Sequence, residues 1–410
     1  MKAKRWAAMC SAAVFLLSGC NGVKAPRDLI AAPSLEKEEQ KEISDLLKQR
    51  IQSNAELLVP RYGWKDRSIY MEDMDGDGKK EGIVFFQAGQ RGPVQMAVFK
   101  MKAGGWEEAA SISLGSRSLN YFQLADLDRN GTKEAVVGME KADYANEKQL
   151  LIYDLKSSKL EVTASVEYEG LDVADYDGDQ VPDLLIVTGK RREEFKAGLY
   201  SIENGVLELR SATKMNAFAF HQKMEGGTLQ DGRHAFFADS KLGIRSMLTE
   251  IVAYRAGRLE LIGKENSPYF IPSRDINQDG VTEAGGAFDP NGKEKQEEEN
   301  VPLIEYYDSF SVDGKSKRVM ERYKDQAGRF FIIIPAKWYG KVAVQADSRS
   351  VQLRERESNQ LLFEIKWAGK NESNENKNVL KETKNTVYYT DEKTKQKMPL
   401  ENFRLMESEF

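Results

Sequence analysis

Cysteine is almost absent from this chain of 410 residues: there are two, Cys10 and Cys20, both close to the N-terminus. A disulfide scaffold is therefore excluded for the body of the protein, and its stability must come from core packing and bound ions. Histidine is as scarce, with only His221 and His234, so no zinc site of Cys/His type can be assembled. After residue 20 no run approaches the ~20 apolar residues of a membrane-spanning helix. Neither a Gly-x-Ser-x-Gly elbow nor a phosphate-cradling glycine loop is present. Lys and Glu are intermixed along the chain rather than gathered into a basic stripe, and the net charge is −5. Nucleic acid is therefore not an expected partner.

What is present begins with a targeting pattern. Lys2, Lys4 and Arg5 precede an apolar run over 7–17 that is too short to span a bilayer, and Leu17-Ser18-Gly19-Cys20 follows. This resembles a bacterial lipobox. The resemblance implies a signal peptide over 1–19, lipidation of Cys20, and attachment to the outer face of a bacterial membrane through that lipid. Without the three signal cations the chain is correspondingly more acidic. Residues 20–34, with Pro26 and Pro33, read as a tether. Ile43, Leu46, Leu47, Ile51 and Leu58 recur at helical spacing, which predicts an N-terminal helix within 35–60, stopped by Pro60.

From 61 to 325 the pattern changes to short apolar runs separated by turns, and one acidic nonapeptide recurs about every fifty residues. Its four copies are Asp73-Met-Asp-Gly-Asp-Gly-Lys-Lys-Glu81, Asp126-Leu-Asp-Arg-Asn-Gly-Thr-Lys-Glu134, Asp175-Tyr-Asp-Gly-Asp-Gln-Val-Pro-Asp183 and Asp275-Ile-Asn-Gln-Asp-Gly-Val-Thr-Glu283. Oxygen side chains at positions 1, 3, 5 and 9 suit a hard cation such as Ca²⁺, which takes about six to eight oxygens at ~2.3–2.6 Å. The candidate ligands in the first loop are Asp73, Asp75, Asp77 and Glu81, with the carbonyl of Lys79. In the second they are Asp126, Asp128, Asn130 and Glu134, with the carbonyl of Thr132. The third offers Asp175, Asp177, Asp179 and Asp183, with Val181, and the fourth Asp275, Asn277, Asp279 and Glu283, with Val281. Up to four structural calcium ions are expected, bound more tightly by the loops with four acids each, those starting at Asp73 and Asp175.

Each loop lies between strand-like runs and is followed by two more, and a gap between the third and fourth loops fits another such unit. There Asp231-Gly232 keeps a turn while the acids are lost. Five units of four strands predict a mainly β fold, a propeller of about five blades. Between the strands, the acidic loops resemble those of FG-GAP and VCBS repeats, as in integrin α-subunit propellers. That resemblance covers roughly 66–325, with Gln180 standing where glycine is expected. Residues 326–410 break the rhythm and are read as a small C-terminal α+β domain, closed by a helix carrying Leu400, Phe403, Met406 and Phe410.

His221 follows a strand of Phe and Ala and reads as structural. The polar connections 89–93, 141–148 and 191–196 offer places for a binding surface. The leading functional expectation is a non-catalytic, calcium-binding lipoprotein that recognises an envelope protein or glycan. A glycosidase-like enzyme on the same scaffold would need two carboxylates ~5–10 Å apart outside the calcium loops. A third possibility is an envelope scaffold or assembly factor acting through its C-terminal domain.

Overall fold

A computed structural model describes residues 35–50, 55–89, 92–116, 118–141, 147–156, 159–203, 205–292, 301–372, 378–391 and 397–406. The expected signal peptide, the lipidation site Cys20 and the tether lie outside the described residues. The protein is mainly β: six antiparallel-built sheets of four or five strands, with one α-helix, Leu35–Arg50, among the described residues.

The rhythm of the sequence becomes the rhythm of the sheets. Sheet 1 contains Ile69–Glu72, Glu81–Ala88, Val94–Lys102 and Gly105–Ser113. Sheet 2 contains Ser118–Ala125, Glu134–Glu140, Lys148–Lys156 and Lys159–Tyr168. Sheet 3 runs Gly170–Ala174, Asp183–Lys190, Glu194–Glu203 and Val206–Met215. Sheet 4 runs Phe220–Thr228, His234–Gly243, Ser246–Arg255 and Arg258–Ser267. Each of these is an up-and-down meander. Second strands such as Leu184-Leu-Ile-Val187 are buried on both faces, and their apolar residues are continuous. Fourth strands such as Val206–Met215 are largely exposed, with mixed polar and apolar residues.

Consecutive sheets stack face to face in chain order, in the manner of propeller blades. Phe85 and Met96 of sheet 1 pack on Phe122 and Val137 of sheet 2. Val136 and Ile152 meet Leu184 and Ile186 of sheet 3. Leu185 and Val187 then meet Phe236 and Val252 of sheet 4, and Phe237 and Ile251 reach Ala284 and Phe310 of sheet 5, which begins with Glu283–Phe288 and Ile304–Phe310. The outer face of sheet 1 is covered by the helix, through Ile43 and Leu47 on Val84, Phe86 and Trp106.

Two short segments depart from the expected boundaries at the N-terminal side. The predicted helix within 35–60 ends at Arg50, and Ala55–Leu58 is a strand paired with Glu81–Ala88 in sheet 1. The helical spacing of Ile51 and Leu58 continues past the true end, but the strand finds a free ladder edge opposite Phe85 and Phe86. Tyr62–Gly63 then pairs in parallel with Tyr121 and Phe122, on the free edge of sheet 2. From there Lys65 Nζ reaches Glu225 Oε1 of sheet 4 at 2.8 Å. Residues 62–65 thus run between the first strands of sheets 2 and 4.

The C-terminal part is also corrected. Phe330–Ile334 joins sheet 5 beside Glu283–Phe288, Ile304–Phe310 and Ser316–Lys324, and Phe403–Leu405 adds a further strand. The predicted closing helix is instead a 3-10 turn, Leu400–Asn402, leading into that strand, with Met406 after it. Pairing of Phe403 with Ile332 buries Phe403 against Phe330 and Tyr388, which a solvent-facing helix would not achieve. Phe410 lies outside the described residues. Sheet 6 (Val342–Ala346, Ser350–Glu355, Leu361–Gly369, Asn378–Glu382, Thr386–Thr390) shares one core with sheet 5: Ile304, Tyr323 and Ile332 pack with Val344, Leu353 and Phe363. No α-helix is found there among the described residues, so the α+β expectation for 326–410 gives way to a sixth β-sheet. The strand-like run expected before the fourth loop forms no strand, and a single bridge between Arg274 and Glu283 takes its place. Pro268 and Pro272 flank the run and remove ladder donors.

Candidate metal centres and a pocket at the opposite end

All four acidic loops connect the first and second strand positions of their sheets, and they share one hydrogen-bond scaffold. The position-1 carboxylate accepts backbone N–H groups from inside the loop: Gly76 and Gly78 to Asp73, Asn130 and Gly131 to Asp126, Gly178, Asp179 and Gln180 to Asp175, and Asp279 and Gly280 to Asp275. Position 3 accepts from the N–H of position 5: Asp77 to Asp75, Asn130 to Asp128, Asp179 to Asp177 and Asp279 to Asn277. Position 5 accepts from position 7, which places Lys79, Thr132, Val181 and Val281 against Asp77, Asn130, Asp179 and Asp279.

The ninth residue closes the loop. Glu81, Glu134, Asp183 and Glu283 are buried, and each accepts the N–H of position 2: Met74, Leu127, Tyr176 and Ile276, at 2.8 to 3.0 Å. This curl needs a left-handed backbone at two positions rather than the one expected. Position 6 is Gly78, Gly131, Gln180 or Gly280, and position 4 is Gly76, Arg129, Gly178 or Gln278, all with φ between 63° and 87°. Glycine at position 4 lets the third loop tolerate Gln180.

Three loops bring carboxylates together: Asp73, Asp75 and Glu81; Asp126, Asp128 and Glu134; Asp175, Asp177 and Asp183. In each, one oxygen per residue lies within 4.8 Å of the others. The fourth loop has the same scaffold with the amide of Asn277 at position 3. Position 5 stays turned toward the backbone, and Asp179 is also ion-paired with Arg129 of the preceding loop. Burial pushes the ninth residue upward in every loop, and neighbouring acids add to it. Glu134 and Glu283 rise to about 7 and Asp183 to about 6. Glu81 is raised as well, with Lys100 pulling against the shift. Glu283 Oε1 is buried and has no hydrogen-bond partner. Crowded, charge-repelled, all-oxygen groups with a spare buried acceptor are the donor set of a hard divalent cation.

Sheet 1 carries an unexpected neighbour. Lys100, on the third strand, donates to Asp75, and its Nζ lies 3.8 Å from Glu81 Oε1. The first loop therefore already holds an ammonium among its acids, against the expectation that it binds an ion tightly. Cross-strand position alone places Lys100 there, and no spacing within the loop announces it. In sheet 4 the turn 229–233 is shorter than the other loops, and the residue paired with Thr228 is His234 in place of an acid. His234 Nε2 instead contacts Asp172 of sheet 3 at 2.8 Å. The Asp231-Gly232 turn survives, with φ +79° at Gly232.

Antiparallel order sends the other connections to the opposite end of the sheets. The segments around 89–93, 141–148 and 191–196 lie there, with residues 90–91 and 142–146 outside the described set. Two exposed aromatics, Phe218 and Phe220, lie at the same end. Beside Phe220 and residues 61 and 62 opens a cavity of about 310 Å³ among the starts of the first strands of sheets 2, 3 and 4. Its lining includes one carboxylate, Glu169. His221 is buried as expected and stacks edge-on against Phe195. Its ring nitrogens nevertheless have no hydrogen-bond partner, since Nδ1 is 3.7 Å from Glu169 Oε1.

No family model matches the sequence, and no curated protein is similar to it. Among solved structures, the exotype rhamnogalacturonan lyase YesX aligns at 14% identity and a TM-score of 0.29, over 73% of this chain and 71% of that one. The rhamnogalacturonan lyase YesW aligns at 12% identity and TM-score 0.31, over 72% and 70%. Sqt1 of Chaetomium thermophilum aligns at 9% and 0.33, over 69% and 68%. Likeness of that size assigns no activity to this chain.

Proposed function

We propose that this protein is a calcium-stabilised, non-catalytic recognition module of a bacterial envelope, held at the outer face of the membrane by lipid on Cys20, with a protein or glycan as its partner. The observation that carries the reading is the segregation of the two ends. One end of the stacked sheets holds the acidic loops, which fit structural ions of the FG-GAP/VCBS kind. The other holds the longer connections, the exposed aromatics and the cavity. Asp73, Asp75 and Glu81, Asp126, Asp128 and Glu134, Asp175, Asp177 and Asp183, and Asp275, Asn277 and Glu283 would hold the ions. When bound, calcium would supply the charge that lets these buried acids ionise and would clip the first strand to the second in sheets 1 to 3.

The test is thermal melting of the protein with millimolar calcium against EGTA. An ion that binds only the native state stabilises it by about 1.4 kcal/mol per site at ten times Kd. Several sites should raise the melting point by several degrees, and Asp175→Ala should reduce the rise. An unchanged melting point refutes the calcium part. Retention of a radiolabelled acyl chain by Cys20→Ala would refute the anchor.

A further inference from the structure

The cavity at the end opposite the loops is a distinct site in its own right. Its position explains its existence. The chain at 62–65 runs between the first strands of sheets 2 and 4, and Arg61 and Tyr62 line the cavity beside it. At about 310 Å³ it is at the small end of ligand pockets, room for one ring-sized molecule.

Its lining carries three cations, Arg61, Lys148 and Lys223, and one carboxylate, Glu169, with Glu140 also facing Lys148. Lys148 is half-buried in the lining and lies 5.8 Å above the Tyr168 ring. One of its N–H groups is used on the Glu169 carbonyl at 2.8 Å, which leaves donors directed elsewhere. Burial holds the Lys148 ammonium below its usual pKa, and Arg61 adds to that. Lys223, also in the lining, is already committed to Glu225 and the Ser273 carbonyl. Against these cations stands the single carboxylate of Glu169. Burial opposes its ionisation, but His221 and Lys148 outweigh that and keep it below the usual value.

His221 sits enclosed behind Glu169, with Nδ1 3.7 Å from Glu169 Oε1. On the rim, Phe220 is 54% exposed and is held from below by Arg191, 5.5 Å from its ring. An exposed, fixed aromatic plate beside a cationic floor matches a ligand with one apolar ring face and one negative group.

We propose that this pocket binds a single carboxylated sugar unit, its carboxylate on Lys148 and Arg61 and its ring face on Phe220. This rests on the reading of the protein as a recognition module, and it names the glycan side of that reading as acidic. The acidic loops lie at the other end of the same strands, so ion and sugar are measured independently.

The experiment is calorimetric titration of the calcium-loaded protein with glucuronate, glucose and inorganic phosphate. Glucuronate is expected to saturate at millimolar concentration and glucose to give no binding, which isolates the carboxylate. Phosphate should bind more weakly than glucuronate, which isolates the ring. Lys148→Gln should weaken glucuronate by about tenfold, the scale of one lost charge-assisted hydrogen bond. Phe220→Ala, an exposed position, should weaken it severalfold, with the calcium-dependent melting shift retained in both variants. Phosphate binding as tightly as glucuronate, or Phe220→Ala without effect, would reduce the site to a simple anion site and overturn the proposal. No glucuronate binding by protein that still shows its calcium shift overturns the pocket assignment alone. Absence of the calcium shift in the unmodified protein overturns the calcium part of the module reading instead and leaves the pocket assignment to the sugar titration.

Discussion

Glu134, Asp183 and Glu283 are where pH and calcium meet. Their folded pKa values, about 7, 6 and 7, lie above those of the unfolded chain. In the metal-free protein the stability these groups contribute is fully present below the unfolded pKa, and it is lost as pH rises through the folded one. Calcium held as proposed would bind the ionised form and reverse the trend. In EGTA the melting point should therefore fall between about pH 5 and pH 7.5, while the increment from calcium grows over the same range. An increment as large at the acid end as at the neutral end would contradict this. Lys100 makes a second residue-scale prediction. Because its ammonium already pairs with Asp75, the first loop should depend least on calcium. Asp175→Ala should then reduce calcium stabilisation more than Asp73→Ala, and Lys100→Met should tighten calcium binding at the first loop. Equal losses from the two aspartate variants would sink the assignment. Counting acids in a nonapeptide ranked the first and third loops together. What separates them is a side chain from two strands away, which no local motif encodes.

Strands and turns repeat the same lesson one scale up. The meander of sheets 1 to 4 was legible because each strand's burial is written in its own residues: continuous apolar runs where both faces are covered, mixed runs where one is wet. Elements defined by an edge were not legible. Ala55–Leu58 and Phe403–Leu405 both carried a helical spacing, yet each occupies an open ladder position in a sheet distant in sequence. Tyr62–Gly63 has only two residues and no pattern to read. Gly63 there has φ +76°, and a Cβ on it would meet the Phe122 carbonyl at 2.3 Å. Gly63→Ala should displace this strand from the edge of sheet 2, at a cost of about 2–3 kcal/mol from backbone strain and overpacking. Because Tyr62 and Arg61 line the cavity, the same variant should also lose glucuronate binding. A variant that melts like the parent would show that the parallel strand contributes little.

For the molecule as a whole, the expected division at 325/326 does not separate two independent bodies. Phe330–Ile334 belongs to sheet 5, and Ile304 and Tyr323 are covered by the core it shares with sheet 6. A chain ending at Lys324 should therefore aggregate or melt far below the full protein, as scattering and calorimetry would show. A well-behaved truncated protein would restore the C-terminal part to independence. Along the other end of the molecule the first three acidic loops touch in sequence. Lys133 N donates to the Met74 carbonyl at 2.7 Å, Lys133 Nζ reaches Glu72 at 2.9 Å, and Arg129 pairs with Asp179. Loops joined in a row cannot fill as strangers. Ordering one fixes the anchor points of the next, so occupancy should rise over a narrower span of calcium concentration than independent sites allow. The protein would then behave as a threshold device, rigid where the surrounding medium is calcium-rich and slack where it is not.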